Sequence, residues 1–389
     1  MKRILYLTFY FEPDLCAGSF RNSPLVHKLS EKLAEGGEIT VVTTQPNRYS
    51  SFKSEAAPFE TKGNIKIHRI SIPTHNSGFL DQIKSFVTYF RAAKAITKGK
   101  QYDMVFASSS RLFTAYLGYT LAKQRKLPLY LDIRDIFVDT IKDVVQQPLI
   151  RMALLPVLRF IEQRTFARAN HINLISGGFK SYFNKYKRPT YSTFPNGIDD
   201  AFLNLPPSVL PANRAVRKIV YAGNMGEGQG LHKIIPQAAQ QLGEAYSFIV
   251  IGDGGAKGKL EQELKSRQLN NVQLLPPMKR EELLQIYADA DFLFLHLNDY
   301  DAFKKVLPSK IFELGAYDKP IIAGVGGFAA DFIRENVPNH ILFNPGDVTA
   351  MVAQLNSYAY KLEIRNEFKA RFRRETINSE MADSILTYL

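Results

Sequence analysis

Glycines are concentrated in a loop of the second half of the chain, where the lack of side chains lets the backbone approach a ligand. Gly223, Gly226, Gly228 and Gly230 fall within KIVYAGNMGEGQGLHKII, a pattern typical of a strand, a loop and a helix. Clustered glycines cost chain entropy, so they favour a backbone that approaches something closely, and a diphosphate at the next helix N-terminus is a common reason. A loop without a ligand stays the alternative.

A second glycine loop follows the next predicted strand and adds a cation. Gly252, Asp253 and Gly254 end the apolar run, and Lys257 comes close behind. Because the carboxyl ends of parallel strands share one edge of a sheet, we expect both loops at the same edge. Together they indicate a phosphate site.

The segment LPSKIFELGAYDKPIIAGVGG combines a cation with an acid near a predicted helix start. Ser309 and Lys310 suit a phosphate there, and Glu313, one turn later, could accept hydrogen bonds from both hydroxyls of a ribose. The alternative is equally open, in which Glu313 only stabilises the first turn and Lys310 is a solvated side chain.

The first half offers a loop and a charged strand end. Gly18 and Ser19 follow the first predicted strand, where a ligand could approach backbone amides, although an ordinary strand-to-helix turn explains them as well. In LDIRDIF, Asp132 or Asp135 could orient a hydroxyl or act as a base. Either acid could instead cap a helix or pair with Arg134.

Short apolar runs alternate with amphipathic stretches in both halves, which predicts an α/β fold with two doubly wound, Rossmann-like domains facing a central cleft. Residues 203–216, with three prolines and no periodicity, mark the boundary. We expect an N-terminal domain over 1–203, a C-terminal domain over 217–365 and a helix over 366–389 that returns to the first domain. The predicted strands cover 4–10, 39–43, 65–70, 104–107, 129–131, 171–174, 191–194, 218–222, 246–251, 272–275, 292–295, 320–323 and 340–343.

Composition excludes several classes of protein. The 389 residues, 45% hydrophobic and 22% charged, are typical of a globular chain and not of a disordered or fibrous one. The single cysteine, Cys16, cannot form an internal disulfide, which fits a reducing compartment. The apolar run at the start is interpreted as a strand and not as a signal peptide, and we expect no membrane-spanning segment.

Metal binding is not predicted. Asp289 with Asp291 and Asp299 with Asp301 both spell D-x-D, a pattern that can hold a divalent metal. The first pair is interpreted as structural because it joins a helix to a buried strand, and the second, in a loop, leaves a metal open. Seven scattered histidines show no zinc spacing.

The net charge of +13 favours acidic partners. Two apolar helical patterns in the first domain, residues 83–101 and 149–168, are flanked by Lys and Arg. Such helices can lie at the surface of an anionic membrane, although core helices with solvated basic faces explain them too.

As a set, these motifs resemble glycosyltransferase family 4, whose members have the GT-B fold. The resemblance covers nearly the whole chain and rests on the loop at Gly18, FPNGID, YAGNMGEGQG, VIGDGG, LPPM, YADADFLFL and SKIFELGAYDKPIIAG. Three motifs are similar to those of bacterial N-acetyl-L-fucosaminyltransferases of surface polysaccharide synthesis, namely LDIRDIF, GNMGEGQGL and PSKIFE. The resemblance implies transfer from a nucleotide sugar with retention of configuration and without a metal or cofactor.

The resemblance also implies roles for individual residues. Gly252 to Gly254 and Met278 would border the nucleoside, Glu313 would bind the ribose, and Gly326 and Gly327 would approach the sugar or phosphate. Arg134, beside Asp135, occupies the place of a frequent histidine, and this pair is the predicted catalytic site.

Departures from the family pattern affect the phosphate site. Asn224 and Gln229 occupy the places of the usual Arg and Lys, and Lys305 replaces the first acid of E-x7-E. The missing positive charge must come from elsewhere, and the candidates are Lys310, Lys257 and Lys304.

We therefore expect a cytoplasmic glycosyltransferase, peripheral on the inner membrane, in O-antigen, capsule, lipopolysaccharide or exopolysaccharide synthesis. Its expected partners are a nucleotide-sugar donor, a lipid-linked saccharide acceptor and the anionic membrane surface. The first donor to test is a UDP-N-acetyl sugar. Nucleic acid is not an expected partner. A UDP-sugar 2-epimerase of the same fold and a non-catalytic relative stay open. A nucleic-acid-binding protein is favoured by the net charge alone.

Overall fold

The structure is a computed structural model that describes residues 1–14, 16–47, 56–73, 79–109, 112–144, 147–208 and 215–389. The chain divides into two compact units. The first unit holds Met1–Asn196 and Arg374–Leu389, and the second holds Gly197–Arg373.

The first unit contains an eight-stranded sheet in the order β3-β4-β2-β1-β5-β6-β7-β8, in which only the β3–β4 pair is antiparallel. Central strands such as β1 and β5 are apolar and buried on both faces, as expected for a parallel sheet covered by helices. The strands are β1 (Lys2–Thr8), β2 (Gly37–Thr44), β3 (Phe59–Lys62), β4 (Ile65–Ile70), β5 (Met104–Ser109), β6 (Leu129–Ile133), β7 (His171–Leu174) and β8 (Thr190–Ser192). The helices are α1 (Ala17–Leu33), α2 (Phe79–Thr97), α3 (Leu112–Arg125), α4 (Phe137–Val144), α5 (Pro148–Phe166) and α6 (Lys180–Phe183).

The second unit contains a fully parallel six-stranded sheet in the order β11-β10-β9-β12-β13-β14, the strand order of a Rossmann fold. Its strands are β9 (Arg217–Asn224), β10 (Tyr246–Asp253), β11 (Val272–Leu275), β12 (Phe292–His296), β13 (Ile321–Gly324) and β14 (His340–Phe343). Its helices are α7 (Asp200–Leu203), α8 (Leu231–Leu242), α9 (Lys257–Ser266), α10 (Arg280–Asp289), α11 (Lys310–Gly315), α12 (Gly327–Asn336), α13 (Val348–Ser357) and α14 (Asn366–Arg371). The predicted fold class, α/β with two doubly wound, Rossmann-like domains, is confirmed.

The last helix, α15 (Arg374–Leu386), belongs to the first unit. Met381, Ala382 and Ile385 of α15 are fully buried in one core with residues of α1, β1, β2 and β5. The end of the chain therefore completes the core of the unit that the start of the chain begins.

The unit boundaries differ from the predicted ones by several residues. Gly197–Leu203, expected in the first domain, lies in the second unit, where Ile198 and Phe202 enter the core. The predicted final helix, 366–389, is two helices in the structure. Of these, α15 belongs to the first unit, whereas α14 belongs to the second, where Phe368 packs in the core. Residues 209–214 of the predicted linker lie outside the described residues.

All thirteen strands expected from the sequence are present, within two residues at most ends. The strand that sequence reasoning missed is β3, whose sequence FETK is polar and largely exposed. Among the described residues, no helix is both long and apolar enough to cross a membrane.

The packing of the Phe368 ring is the basis for predicting how strongly α14 stabilises the second unit. The ring is buried, and its centroid lies 6.3, 6.4 and 4.9 Å from those of Phe312, Phe332 and Phe372. Because Phe368→Ala leaves a cavity among these rings, we expect the free energy of unfolding of this unit to fall by about 3–5 kcal/mol. Denaturant unfolding followed by circular dichroism measures the change.

Phe59→Ala is the matched control, because the Phe59 side chain is 52% exposed on β3. We expect it to change the free energy of unfolding by less than about 1 kcal/mol. Equal effects of the two substitutions would contradict the packing role of Phe368.

Candidate functional site

Four loops of the second unit leave the same edge of its sheet, at the carboxyl ends of β9, β10, β12 and β13. Parallel sheets bind ligands at this edge. The predicted donor-site residues of this unit lie in these loops or in the strand and helix ends beside them, except Met278, which follows the edge strand β11 and packs, partly buried, against the core.

The loops after β9 and β10 touch through their backbones. Gly223 and Gly252 are direct neighbours in the parallel register, and a Cβ on Gly252 would lie 1.9 Å from the carbonyl oxygen of Gly223. A Cβ on Gly254 would lie 2.6 Å from the carbonyl carbon of Met225. These glycines are thus required for the two loops to pack, whether or not a ligand also approaches them.

Asn224 and Gln229, which stand where the resemblance would place two cations, are hydrogen-bonded to each other. The Asn224 amide donates to Gln229 Oε1 at 2.8 Å, and the backbone N–H of Gly226 donates to the same oxygen at 3.2 Å. The pair therefore closes the glycine loop on itself and supplies no charge.

Lys310 lies against this loop and provides a cation. Its Cε would be 3.7 Å from a Cβ on Gly223, and its ammonium group donates to Glu313 Oε2 at 2.7 Å. Burial alone lowers the pKa of Lys310, but Glu313 and the phenol groups of Tyr287 and Tyr221 outweigh it and raise this pKa above its ordinary value. Lys310 is thus a permanent positive charge at the sheet edge.

The two other candidate cations have carboxylate partners on the surface. Lys257 lies 3.9 Å from Glu261, and Lys304 bridges Asp299 at 3.3 Å and Asp301 at 3.0 Å. The second D-x-D pair is therefore occupied by a lysine.

The first D-x-D pair is structural, as expected. Asp291 is buried and accepts from the backbone N–H of Lys218 at 2.7 Å, and Asp289 pairs with the Lys218 ammonium group. Within the described part of the chain, no cluster of three or more His, Cys, Asp or Glu side chains is suited to a metal ion.

The remaining predicted residues of this unit have local roles. Asp253 accepts from the backbone N–H of Gly254 at 2.8 Å, and Ser309 precedes α11 without a side-chain cap bond. Gly327 has a φ of +57°, and a Cβ there would lie 2.2 Å from the carbonyl oxygen of Lys304, whereas a Cβ on Gly326 would make an ordinary contact with Pro345 at 3.8 Å. Gly327 is thus required for packing.

His296 was missed from the sequence, although it ends the strand next to the glycine loop. Its Nδ1 lies 2.6 Å from the carbonyl oxygen of Gln229, and its Nε2 accepts from the N–H of Gly346 at 3.0 Å. Burial lowers the pKa of His296 to about 4, so the ring is neutral and Nδ1 carries the proton. It ties the glycine loop to the loop before α13.

In the first unit, the corresponding edge carries a buried ion pair. Arg21 donates from Nε to Asp132 Oδ2 at 2.8 Å and from Nη2 to Oδ1 at 2.7 Å, and both side chains are at most 2% exposed. Ser108 and Asn173 also donate to Asp132, at 2.9 and 2.8 Å. Asp132 is therefore saturated, and the interpretation of it as a base is not supported by this geometry.

Arg134 lies beside this pair but has no carboxylate of its own. In the described part of the chain its guanidinium group makes no hydrogen bond, and its Nε is buried. Nη1 lies 2.9 Å from the position that a Cβ on Gly18 would take. Burial, with the positive charge of Arg21, lowers the pKa of Arg134 despite the attraction of Asp132. Such a cation suits an anionic or strongly polar ligand group.

Asp135 is partly buried and accepts from the Thr140 hydroxyl at 3.1 Å. Burial raises the pKa of Asp135 to about 6, although Thr140, the backbone N–H of Ile136 and Arg134 oppose the change. A carboxyl with this pKa can exchange protons near neutral pH.

The structure thus gathers the predicted residues into two groups, each within its own unit. Gly18 and Arg134 are neighbours in the first, with Ser19 following Gly18 in α1 and Asp135 following Arg134 in the chain. Gly223, Asn224, Gln229, Gly252, Gly254 and Lys310 with Glu313 adjoin one another in the second.

Comparison with known proteins connects the second unit with sugar transfer. Residues 208–375 match the sequence model of the family "Glycosyl transferases group 1". WcaI of Escherichia coli (strain K12), named as a colanic acid biosynthesis glycosyl transferase, is 29% identical over 173 residues. That alignment covers 44% of this chain and 42% of WcaI, so the chain matches less than half the length of this relative.

Solved structures match over the whole chain. Sucrose-phosphate synthase from Thermosynechococcus elongatus has a TM-score of 0.76 at 15% identity, covering 100% of this chain and 99% of that one. Anabaena Alr3699/HepE in complex with UDP and glucose has a TM-score of 0.66 at 16% identity, with 99% of each chain covered. The fold is therefore that of the GT-B glycosyltransferases. The match to the group 1 model falls almost entirely within the second unit.

The two acids of LDIRDIF should respond oppositely to substitution. Asp132→Asn leaves the buried charge of Arg21 without its partner, so we expect a loss of about 3–5 kcal/mol in the free energy of unfolding. Asp135→Asn removes a carboxylate whose charged form is disfavoured by burial, so we expect a gain of about 1–2 kcal/mol at pH 8.

The pH dependence follows from the pKa of about 6 for Asp135 in the folded protein. The folded state favours the protonated form, so this group's contribution to stability decreases as pH rises from about 4 through 6. The gain from Asp135→Asn should therefore be largest at pH 8 and clearly smaller at pH 4.5 in thermal unfolding. A loss of stability at pH 8 would contradict this account of Asp135.

Proposed function

We propose that the protein is a glycosyltransferase that moves a sugar from a nucleotide donor to a lipid-linked saccharide in the synthesis of a bacterial surface polysaccharide. The observation that carries the proposal is the match of residues 208–375 to the group 1 family, because the same segment bears the Lys310–Glu313 pair at its sheet edge. The similarity to WcaI supports polysaccharide synthesis as the pathway.

In this proposal the second unit binds the donor. Lys310 faces the diphosphate and replaces the cations lost at Asn224 and Gln229, while Glu313 accepts from the ribose hydroxyls. The nucleoside lies between the loop at Gly252 and Met278. The solved HepE structure is a complex with UDP and glucose, which supports UDP as the first nucleotide to test. The motifs that resemble those of N-acetyl-L-fucosaminyltransferases support an N-acetyl sugar as the transferred group.

In the first unit, Arg134 and Asp135 serve the reacting groups. The acceptor oxygen bonds to the anomeric carbon, the bond from that carbon to the diphosphate breaks, and the acceptor proton passes to a carboxylate, for which Asp135 is our candidate. The departing diphosphate gains negative charge, so nearby cations lower the barrier. We propose that transfer proceeds with retention of configuration and without a metal ion.

The proposed acceptor determines where in the cell the protein would act. A lipid-linked saccharide lies at a membrane, so the protein would act as a peripheral protein on the cytoplasmic face of the inner membrane. The basic helices of the first unit support that location through their attraction to anionic lipid.

Nucleotide binding tests the donor site. We expect UDP, but not GDP, ADP or CMP, to raise the melting temperature, because a ligand at about 100 times its dissociation constant adds roughly 2.7 kcal/mol. Glu313→Gln should weaken UDP binding about tenfold or more, since a ribose contact is lost. Glu263→Gln, a surface acid of α9 paired with Arg267, is the matched control and should bind UDP normally.

A shift with another nucleotide would keep the donor site and change the base. No shift with any of the four would argue against a donor-binding protein and favour the non-catalytic relative.

Activity tests the role of Asp135. With a UDP-N-acetyl sugar and membrane-extracted acceptor, we expect the rate of transfer to rise with pH through about 6 and to level off above it, because the carboxylate is the active form. Asp135→Asn should lower kcat by about 100-fold or more without this rise. Asp383→Asn, a surface acid of α15 paired with Lys32, should leave the rate unchanged.

Product analysis without acceptor distinguishes the rival activity. A new UDP-sugar isomer formed from the donor alone would show an epimerase and overturn the proposal.

A further inference from the structure

The first unit has an unusual concentration of exposed apolar side chains. Seven of the twelve large apolar residues that are exposed in the described chain lie on two helices, α2 and α5. Those on α5 are between 48% and 77% exposed. They are Leu149, Ile150, Met152, Val157 and Phe160. Soluble surfaces rarely group such residues without a binding partner.

An apolar groove of about 260 Å³ adjoins this face. Ile83, Phe86 and Val87 of α2 form one side, Leu154 and Leu158 of α5 the other, and Phe113 of α3 contributes to the lining. The rings of Phe86 and Phe113 pack 5.0 Å apart, which gives the groove a firm aromatic wall. The groove is smaller than most small-molecule sites, and its lining offers almost no polar group to a sugar or nucleotide.

Cations lie on the same two helices as the exposed apolar side chains. Lys84 and Arg91 on α2 and Arg151 and Arg159 on α5 are exposed, and none of these four has a carboxylate within ion-pair distance in the part of the chain that the structure describes. The acid of α5, Glu162, is buried and bound by Tyr182, Tyr186 and Lys185. The two helices therefore combine exposed apolar side chains with exposed positive charge, and Arg91 also lines the groove.

We propose that the exposed face of α5 and the groove beside α2 dock on an anionic lipid bilayer, with one hydrocarbon chain of a lipid in the groove. The exposed apolar side chains match the acyl region, and the unpaired cations match the anionic headgroups. The inference deepens the proposed function, on whose lipid-linked acceptor it rests, by assigning the membrane contact to one surface.

The first experiment measures binding to vesicles without donor or acceptor. We expect the protein to sediment with vesicles of phosphatidylglycerol and phosphatidylcholine, and less with phosphatidylcholine alone or in high salt. The double substitution Met152→Glu and Val157→Glu should lower the partition coefficient about tenfold or more, since carboxylates enter the apolar face. Ile364→Glu, at a position 62% exposed in the second unit, is the control and should bind like the wild type.

The second experiment tests the groove with cis-parinaric acid, a linear acyl chain that fluoresces in apolar surroundings. We expect saturable binding to the wild type and about tenfold weaker binding to Val87→Trp, whose larger side chain fills the groove. Val216→Trp is the matched control, because Val87 and Val216 are both 40% exposed. Both variants are at exposed positions, so their melting temperatures should stay unchanged.

Light scattering tests whether the exposed face of α5 instead binds a second copy of the chain. A wild-type dimer that the α5 double substitution separates, with no vesicle binding, would overturn the proposal, as would equal vesicle binding by wild type and double variant. Failure here is distinct from failure of the proposed function, because UDP binding is measured separately on the second unit.

Discussion

The parallel direction of the strands is the constraint from which both candidate sites follow. Every loop after a strand of the second sheet starts at the same edge, so residues as far apart in sequence as Gly223 and Lys310 become neighbours. The same rule brings Asp132 and Arg134 of the first unit to Gly18 and Arg21, which follow β1. The chemistry of each unit is therefore located by topology before any side chain is chosen.

Much of this arrangement could be predicted from the sequence. The strands are short apolar runs bounded by glycine or charge, a local pattern, and their alternation with helices leaves few topologies. The glycine loops and the Lys310–Glu313 segment were recognisable for the same reason, because their spacing along the chain sets their position on the sheet edge. The polar edge strand β3 lacked this pattern and was missed.

Partners distant in sequence could not be predicted. The segment LDIRDIF does not indicate that Asp132 is bound by Arg21, more than a hundred residues earlier in the chain. It also does not indicate that the pKa of Asp135 is raised. Likewise, the mutual hydrogen bond of Asn224 and Gln229 and the tie from His296 to Gln229 depend on how loops pack. Residue type gives the possible chemistry, and burial together with the neighbouring charges decides which residue can perform it.

The position of α15 has a consequence for the order in which the protein can fold during synthesis. The second unit is one continuous segment, Gly197–Arg373, whereas the core of the first unit needs side chains from both sides of that segment. On the ribosome, which makes the chain from its amino end, the second unit can fold while the first still lacks Met381 and Ile385. The part of the chain made first therefore completes its core last, and until then it exposes apolar surface that a chaperone could bind.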